Sequence, residues 1–190
     1  MGAILYEDTL NQKGKHEIKH EWLSAHGVEV VRTRFDGNHL VPWSFGDYCT
    51  DDSNIVIDTK ASIAEVSANW GREHSRFKRE MQRANDGGCV LVILIETNEA
   101  ACIDDVKRWC NTHCVKCKHR GKPCEPRDRD EICIRHGTKK PLQGDTIAKQ
   151  MATIQANRFV RFEFAKPEES ARRICELLGV KYERDATGGA

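Results

Sequence analysis

Seven residues from Cys89 to Ile95 (Cys-Val-Leu-Val-Ile-Leu-Ile) run without a polar interruption. The run is far short of the roughly 20 residues of a membrane-spanning helix. It has strand length and β-branched character. A strand that is apolar at every position must be covered on both faces, because alternate side chains point to opposite sides of a sheet. Helices are then needed above and below it. The expected fold class is α/β, a central mixed sheet flanked by helices. The 190 residues suffice for one domain with such a core. A hydrophobic content of 39% and a charged content of 31% suit a soluble globular chain. Met1 to Leu5 carries neither a basic start nor a long apolar stretch, so no secretory leader and no membrane anchor are expected.

The elements can be read outward from that strand. Ala3 to Tyr6 is a short apolar run ending in Glu7-Asp8 and predicts a first strand. Gly14 to His26 reads as a polar helix stopped at Gly27. Val28 to Phe35 alternates as a strand and ends at the turn signal Asp36-Gly37. Two strands are expected over Phe45 to Thr50 and Ile55 to Lys60, then a helical stretch over Ser62 to about Ala84 that Gly71 interrupts, with one apolar face before it and a second after it. Asp145 to Ala156 predicts a helix, Val160 to Phe164 a strand, and Pro167 to Leu178 an amphipathic helix. The expected organisation is a single domain over residues 1–180, a basic Cys-rich insert at 101–140, and a flexible tail at 181–190.

Chemistry concentrates around residue 58. The strand Ile55-Val56-Ile57 leads into Asp58-Thr59-Lys60, and side chains two apart project to one face. Asp58 and Lys60 therefore stand together, and Asp47 in Gly46-Asp47-Tyr48 can supply a second carboxylate from a neighbouring edge. Two carboxylates suit a divalent cation such as Mg²⁺ or Mn²⁺. A lysine beside them favours an attacking hydroxide or developing negative charge, the combination that metal-dependent phosphodiester cleavage requires. Tyr48 reads as a packed aromatic.

Taken in order, Gly46-Asp47-Tyr48, Asp58-Thr59-Lys60, Gly71-Arg72 and the apolar strand Val90 to Glu96 resemble the XPF-type nuclease domain, a branch of the PD-(D/E)XK superfamily. The likeness is to the compact standalone form found in bacteria and their phages. It implies a restriction-endonuclease-like sheet, with Asp47, Asp58 and Lys60 in the metal-binding and catalytic positions. Asp8 falls where the family has an aspartate near the active site. The sequence departs from the family at three places. Asp58-Thr59-Lys60 stands for the usual Glu-Arg-Lys. Leu10 and Asn11 stand where Arg-Glu is common. Ala64 takes the place of a further acid, with Glu65 next to it either as a substitute or as a solvated helix residue. The family also implies DNA as the partner, and XPF-type domains often pair as homodimers.

Basic residues lie where a DNA backbone would run. At helical spacing, Arg72, Arg76, Arg79 and Arg83 share a face. The net charge is only +1, but residues 107–140 hold eleven Lys/Arg against four Asp/Glu. That patch is either phosphate-tracking or a solvated surface. The chain has nine cysteines. Without an export signal they read as reduced and cytoplasmic rather than disulfide-bonded. Cys49, Cys89, Cys102 and Cys175 are expected to be ordinary buried thiols. Cys110, Cys114, Cys117 and Cys124 are spaced for a structural Zn²⁺, with reduced cysteines on a loop as the plainer reading.

The function expected is a Mg²⁺- or Mn²⁺-dependent DNA endonuclease acting on branched or flapped DNA. Asp47, Asp58 and Lys60 would be central, with Asp8 and Glu65 as secondary acids. The alternatives are a non-catalytic DNA-binding or scaffolding module of the same fold, and a zinc-dependent docking knuckle with a vestigial nuclease site.

Overall fold

The computed structural model describes residues 3–11, 16–37, 41–71, 74–111, 114, 132–133, 138–139, 141–156 and 159–183. The elements are β1 (Leu5–Asp8), α1 (Glu17–Ala25), β2 (Val30–Thr33), β3 (Tyr48–Cys49), β4 (Ile55–Lys60), α2 (Ile63–Gly71), α3 (His74–Gly87) and β5 (Val90–Glu96). They continue with α4 (Ile103–Val106), β6 (Ile132–Cys133), β7 (Thr138–Lys139), α5 (Gly144–Gln155), β8 (Val160–Ala165), a 3-10 turn (Pro167–Glu169) and α6 (Ser170–Leu178). No described helix is long and apolar enough to cross a membrane.

Six strands form one mixed sheet in the order β2-β1-β3-β4-β5-β8. β1 pairs parallel with β2, and β4, β5 and β8 are mutually parallel. The short β3 joins the two halves through antiparallel pairs with β1 and β4. As its composition predicts, β5 is central and buried from Leu91 to Ile95. Leu91, Ile93 and Ile95 enter one apolar cluster with Ile63, Val66, Trp70, Phe77, Ile147 and Met151 from α2, α3 and α5. Val92 and Leu94 enter the opposite cluster with Leu23 of α1 and Ala171, Ile174 and Leu178 of α6. Each such buried side chain stabilises the fold by about 1.5–3 kcal/mol relative to exposure.

The structure departs from the expected elements in several places. The helical stretch from Ser62 is described as α2 up to Gly71 and as α3 from His74, and α3 runs on to Gly87. The strand expected over Phe45 to Thr50 pairs only at Tyr48 and Cys49. Gly46 has φ +82°, outside strand geometry, and turns the chain just before them. Pro167 opens a 3-10 turn before the last helix becomes α-helical. Cys49, Cys89 and Cys175 are buried thiols, but Cys102, at the N-terminal boundary of α4 in the loop beyond β5, is exposed.

Residues 101–111, assigned from composition to the insert, belong partly to the main body. Val106 and Trp109 are buried in the first apolar cluster. Gly144 seats this stretch. A Cβ there would lie 2.0 Å from the Val106 carbonyl oxygen and 2.5 Å from that of Trp109, so only glycine lets α5 begin so close. The Gly144 N–H donates to the Trp109 carbonyl at 3.1 Å. The 181–190 tail lies outside the described residues beyond residue 183.

Candidate active site

The sequence brings Asp47 into place through its backbone. The Asp47 N–H donates to the Ile57 carbonyl at 2.7 Å, and its carbonyl accepts from the Asp8 N–H at 2.9 Å. Asp47 is thereby fastened between β1 and β4. Gly46 allows the approach: a Cβ there would lie 2.3 Å from Val56 Cγ1, and its φ of +82° is one that L side chains rarely adopt.

β4 places the other two residues. By strand alternation Asp58 and Lys60 share the face of Val56, while Thr59 shares that of Ile57. Lys60 Nζ donates to Asp58 Oδ1 at 2.7 Å and lies 2.7 Å from Oδ2. Both residues are 6% exposed. Asp58 Oδ2 is buried and, despite that proximity, accepts no hydrogen bond of good geometry. Asp47 Oδ2 accepts from the Thr59 N–H at 2.8 Å and from Thr59 Oγ1 at 2.6 Å. Those two bonds leave Oδ1 out. Thr59, which no sequence signal marks, is thus the residue that orients Asp47; only the register of β3 on β4 exposes this role.

Burial dominates the electrostatics. It pushes the Asp58 carboxyl up to about 6, against the pull of Lys60 and with help from the Asp47 and Glu65 charges. Burial also raises Asp47, opposed by the Thr59 hydrogen bonds and by Lys60. For Lys60, burial works against the charge, but Asp58, Asp47 and Glu65 outweigh it and leave the ammonium above its ordinary value. Two carboxylates are thus held where their charge is costly and a cation would relieve it.

The secondary acids have backbone duties. Asp8 is 5% exposed, and its Oδ1 accepts from Leu10 N–H at 3.1 Å and Phe35 N–H at 3.4 Å. Glu65 is on the first turn of α2, where Oε2 accepts from Ala61 N–H at 2.8 Å and its own N–H donates to Ser62 Oγ at 3.2 Å. This is close to a capping box. The Glu65 charge nevertheless reaches Asp58 and Lys60.

Of the basic row, Arg72 lies outside the described residues. Arg76, Arg79 and Arg83 are exposed on α3. Arg76 pairs with Glu80 at 3.1 Å. The Arg83 guanidinium lies 5.8 Å from the Phe45 ring centroid, next to the Gly46 turn. Cys117 and Cys124 are also outside the described residues. Cys110 is exposed, and Cys114 Sγ accepts from Gln143 Nε2 at 3.1 Å. Among the described residues, no group of three or more His, Cys, Asp or Glu is gathered as a metal-ligand set.

The sequence matches no protein-family model and no curated protein. The fold does match solved structures. XPF from Aeropyrum pernix in complex with DNA superposes with a TM-score of 0.54 at 16% identity, covering 93% of this chain. XPF from Aeropyrum pernix gives a TM-score of 0.51 at 15% identity over 98% of this chain. The chain spans 64% and 69% of those two structures. It has an XPF-like nuclease fold.

Proposed function

We propose that this protein is a metal-dependent endonuclease that hydrolyses phosphodiester bonds in DNA, with branched or flapped DNA as its substrate. The observation that carries the reading is the buried Asp58–Lys60 pair at 2.7 Å beside a second anchored carboxylate, Asp47, within an XPF-like fold. Asp47 and Asp58 would hold Mg²⁺ or Mn²⁺, with the remaining positions filled by a backbone carbonyl of β4 and by water. The residues fit such an ion, since the buried Asp58 Oδ2 accepts no hydrogen bond of good geometry and burial disfavours charge on both acids. When bound, the cation supplies Lewis-acid polarisation of the phosphate and a water of lowered pKa.

The chain's own residues do the rest. Thr59 holds the Asp47 carboxylate in place through two hydrogen bonds to Oδ2. Lys60 offers a fixed ammonium to negative charge developing on the phosphate, in surroundings that screen it little. Asp8 and Glu65 serve as secondary acids, one holding the turn after β1 and the other the start of α2. Arg72, Arg76, Arg79 and Arg83 grip the DNA backbone without reading sequence. A structural zinc on Cys110, Cys114, Cys117 and Cys124 is a separate proposal. Zinc stoichiometry on purified protein tests it, and metal-free, fully folded protein would remove it.

The test is to incubate the purified protein with flap, fork and linear duplex DNA in Mg²⁺ or Mn²⁺. Cleavage of the branched substrates ahead of the duplex is expected. Binding without cleavage under either metal would make the protein a non-catalytic DNA-binding module instead.

A further inference from the structure

The inward stripe of α1 is unusual for a helix packed on a sheet. Positions 16, 19, 20 and 23 fall on one face. Leu23 is fully buried, as that face requires, but the others are His16, Lys19 and His20. Lys19 is 4% exposed, and its Nζ lies 2.5 Å from Oε1 of Glu96 at the end of β5. Strand register brings this pair close to the candidate site. Lys60 is opposite Ile95, so Glu96 stands one residue beyond the partner of that lysine. The Lys19 ammonium also lies 5.9 Å from the Tyr48 ring centroid. His20 Nε2 is 2.8 Å from Oε2 of the fully buried Glu7, and the Tyr48 hydroxyl donates to Glu7 Oε1 at 3.4 Å. Two polar pairs from α1 therefore bear on Tyr48, one at the ring and one through its hydroxyl partner. Tyr48 is the residue after Asp47.

A buried ion pair is weak evidence for stability. Taking both charges out of water cancels much of their attraction, and apolar replacements of similar volume are often neutral or stabilising. Its position at the end of β5, beside Tyr48, points to another use. We propose that the Lys19–Glu96 pair is a positioning device for the site: it ties α1 to the end of β5 across Tyr48, and so fixes where Asp47 stands relative to Asp58 and Lys60. The proposal rests on the nuclease reading. The Lys19 charge also acts directly on Asp47, which places the two groups within electrostatic reach.

The experiment uses the full chain and Mn²⁺ alone as the first probe. Lys19→Met/Glu96→Leu removes both charges and keeps apolar volume, so neither partner is left buried and unpaired. Its thermal midpoint should stay near or above that of the wild type. Its Mn²⁺ affinity, measured without DNA, should fall roughly ten- to hundredfold, as happens when groups that orient metal ligands are removed. Cleavage should fall in kcat with KM for DNA within about twofold, since α1 does not carry the proposed backbone grip. Should the double variant fail to fold, Glu96→Asp keeps both charges and retracts the carboxylate by one methylene. It should lower Mn²⁺ affinity and kcat in the same direction, and Lys19→Arg should preserve both better than Lys19→Met. Wild-type affinity and kcat in a folded double variant, or in Glu96→Asp, would overturn the positioning role while leaving the nuclease reading intact. A wild-type protein that neither binds Mn²⁺ nor cleaves DNA would overturn both.

Discussion

At the residue scale, Asp58 carries the sharpest conflict in the molecule. It is sealed from water, beside a second acid, and balanced by one lysine. Its carboxyl is raised from 3.8 to about 6. A raised value means that folding favours the protonated form. The stabilising contribution is therefore complete below pH 3.8 and lost as pH rises to about 6. Unfolding in metal-free buffer at stepped pH, wild type against Asp58→Asn, should show the wild type losing stability relative to the variant across that window and levelling off above it. A flat difference would contradict the burial of Asp58 in the folded protein. The meeting of Asp58 and Lys60 was legible in the sequence, because a period of two in an apolar strand leaves no other arrangement. Thr59 was not legible, since its two bonds to Asp47 depend on how β3 registers on β4. Lys19 was also hidden. A lysine on a polar helix normally reads as solvated, and only the partner at Glu96, 77 positions away, makes it a buried group.

At the element scale, the turn into β3 and the start of α2 position the site. Gly46→Ala would force a side chain into the left-handed region and against Val56 Cγ1 at 2.3 Å. Such strain costs of order 1–3 kcal/mol. A lowered thermal midpoint, with cleavage reduced by more than the drop in folded protein explains, is expected, because Asp47 moves with the turn. The α2 cap separates structural from chemical duties. Ser62→Ala should cost about 1 kcal/mol. Glu65→Gln keeps an oxygen for the Ala61 N–H, so it should leave the thermal midpoint nearly unchanged and reduce cleavage less than Asp58→Asn does. β4 and β5 were legible almost to the residue, because β-branched runs bounded by polar turns have few alternatives. β3 is short because Gly46 bends the chain immediately before it, and a period-two pattern does not reveal a backbone turn.

At the scale of the whole molecule, the layered α/β architecture follows from one apolar strand that must be covered twice, and the structure bears this out in two clusters on opposite faces of the sheet. Composition was a poorer guide to boundaries, since Val106 and Trp109 lie in a basic stretch yet pack into the main core. With a net charge of only +1, the proposed DNA binding would have to come from local faces such as α3. Arg79→Gln and Arg83→Gln should each weaken binding evenly across DNA sequences and make the slope of log affinity against log salt shallower by about 1 for every phosphate no longer neutralised. Filter binding at several salt concentrations measures this, and an unchanged slope would remove α3 from the interface. The central claim is that Asp47, Asp58 and Lys60 form a phosphodiester-cleaving centre. Single-turnover cleavage of flap DNA in Mn²⁺ tests it most directly, with wild type beside Asp58→Asn and Lys60→Met, each shown to be folded and to bind the same DNA. The account predicts cleavage by the wild type and a drop of at least about hundredfold in both variants, the scale seen when one charge-stabilising group is removed. Equal rates in all three proteins, or a wild type that binds flap DNA and never cuts it, would contradict it.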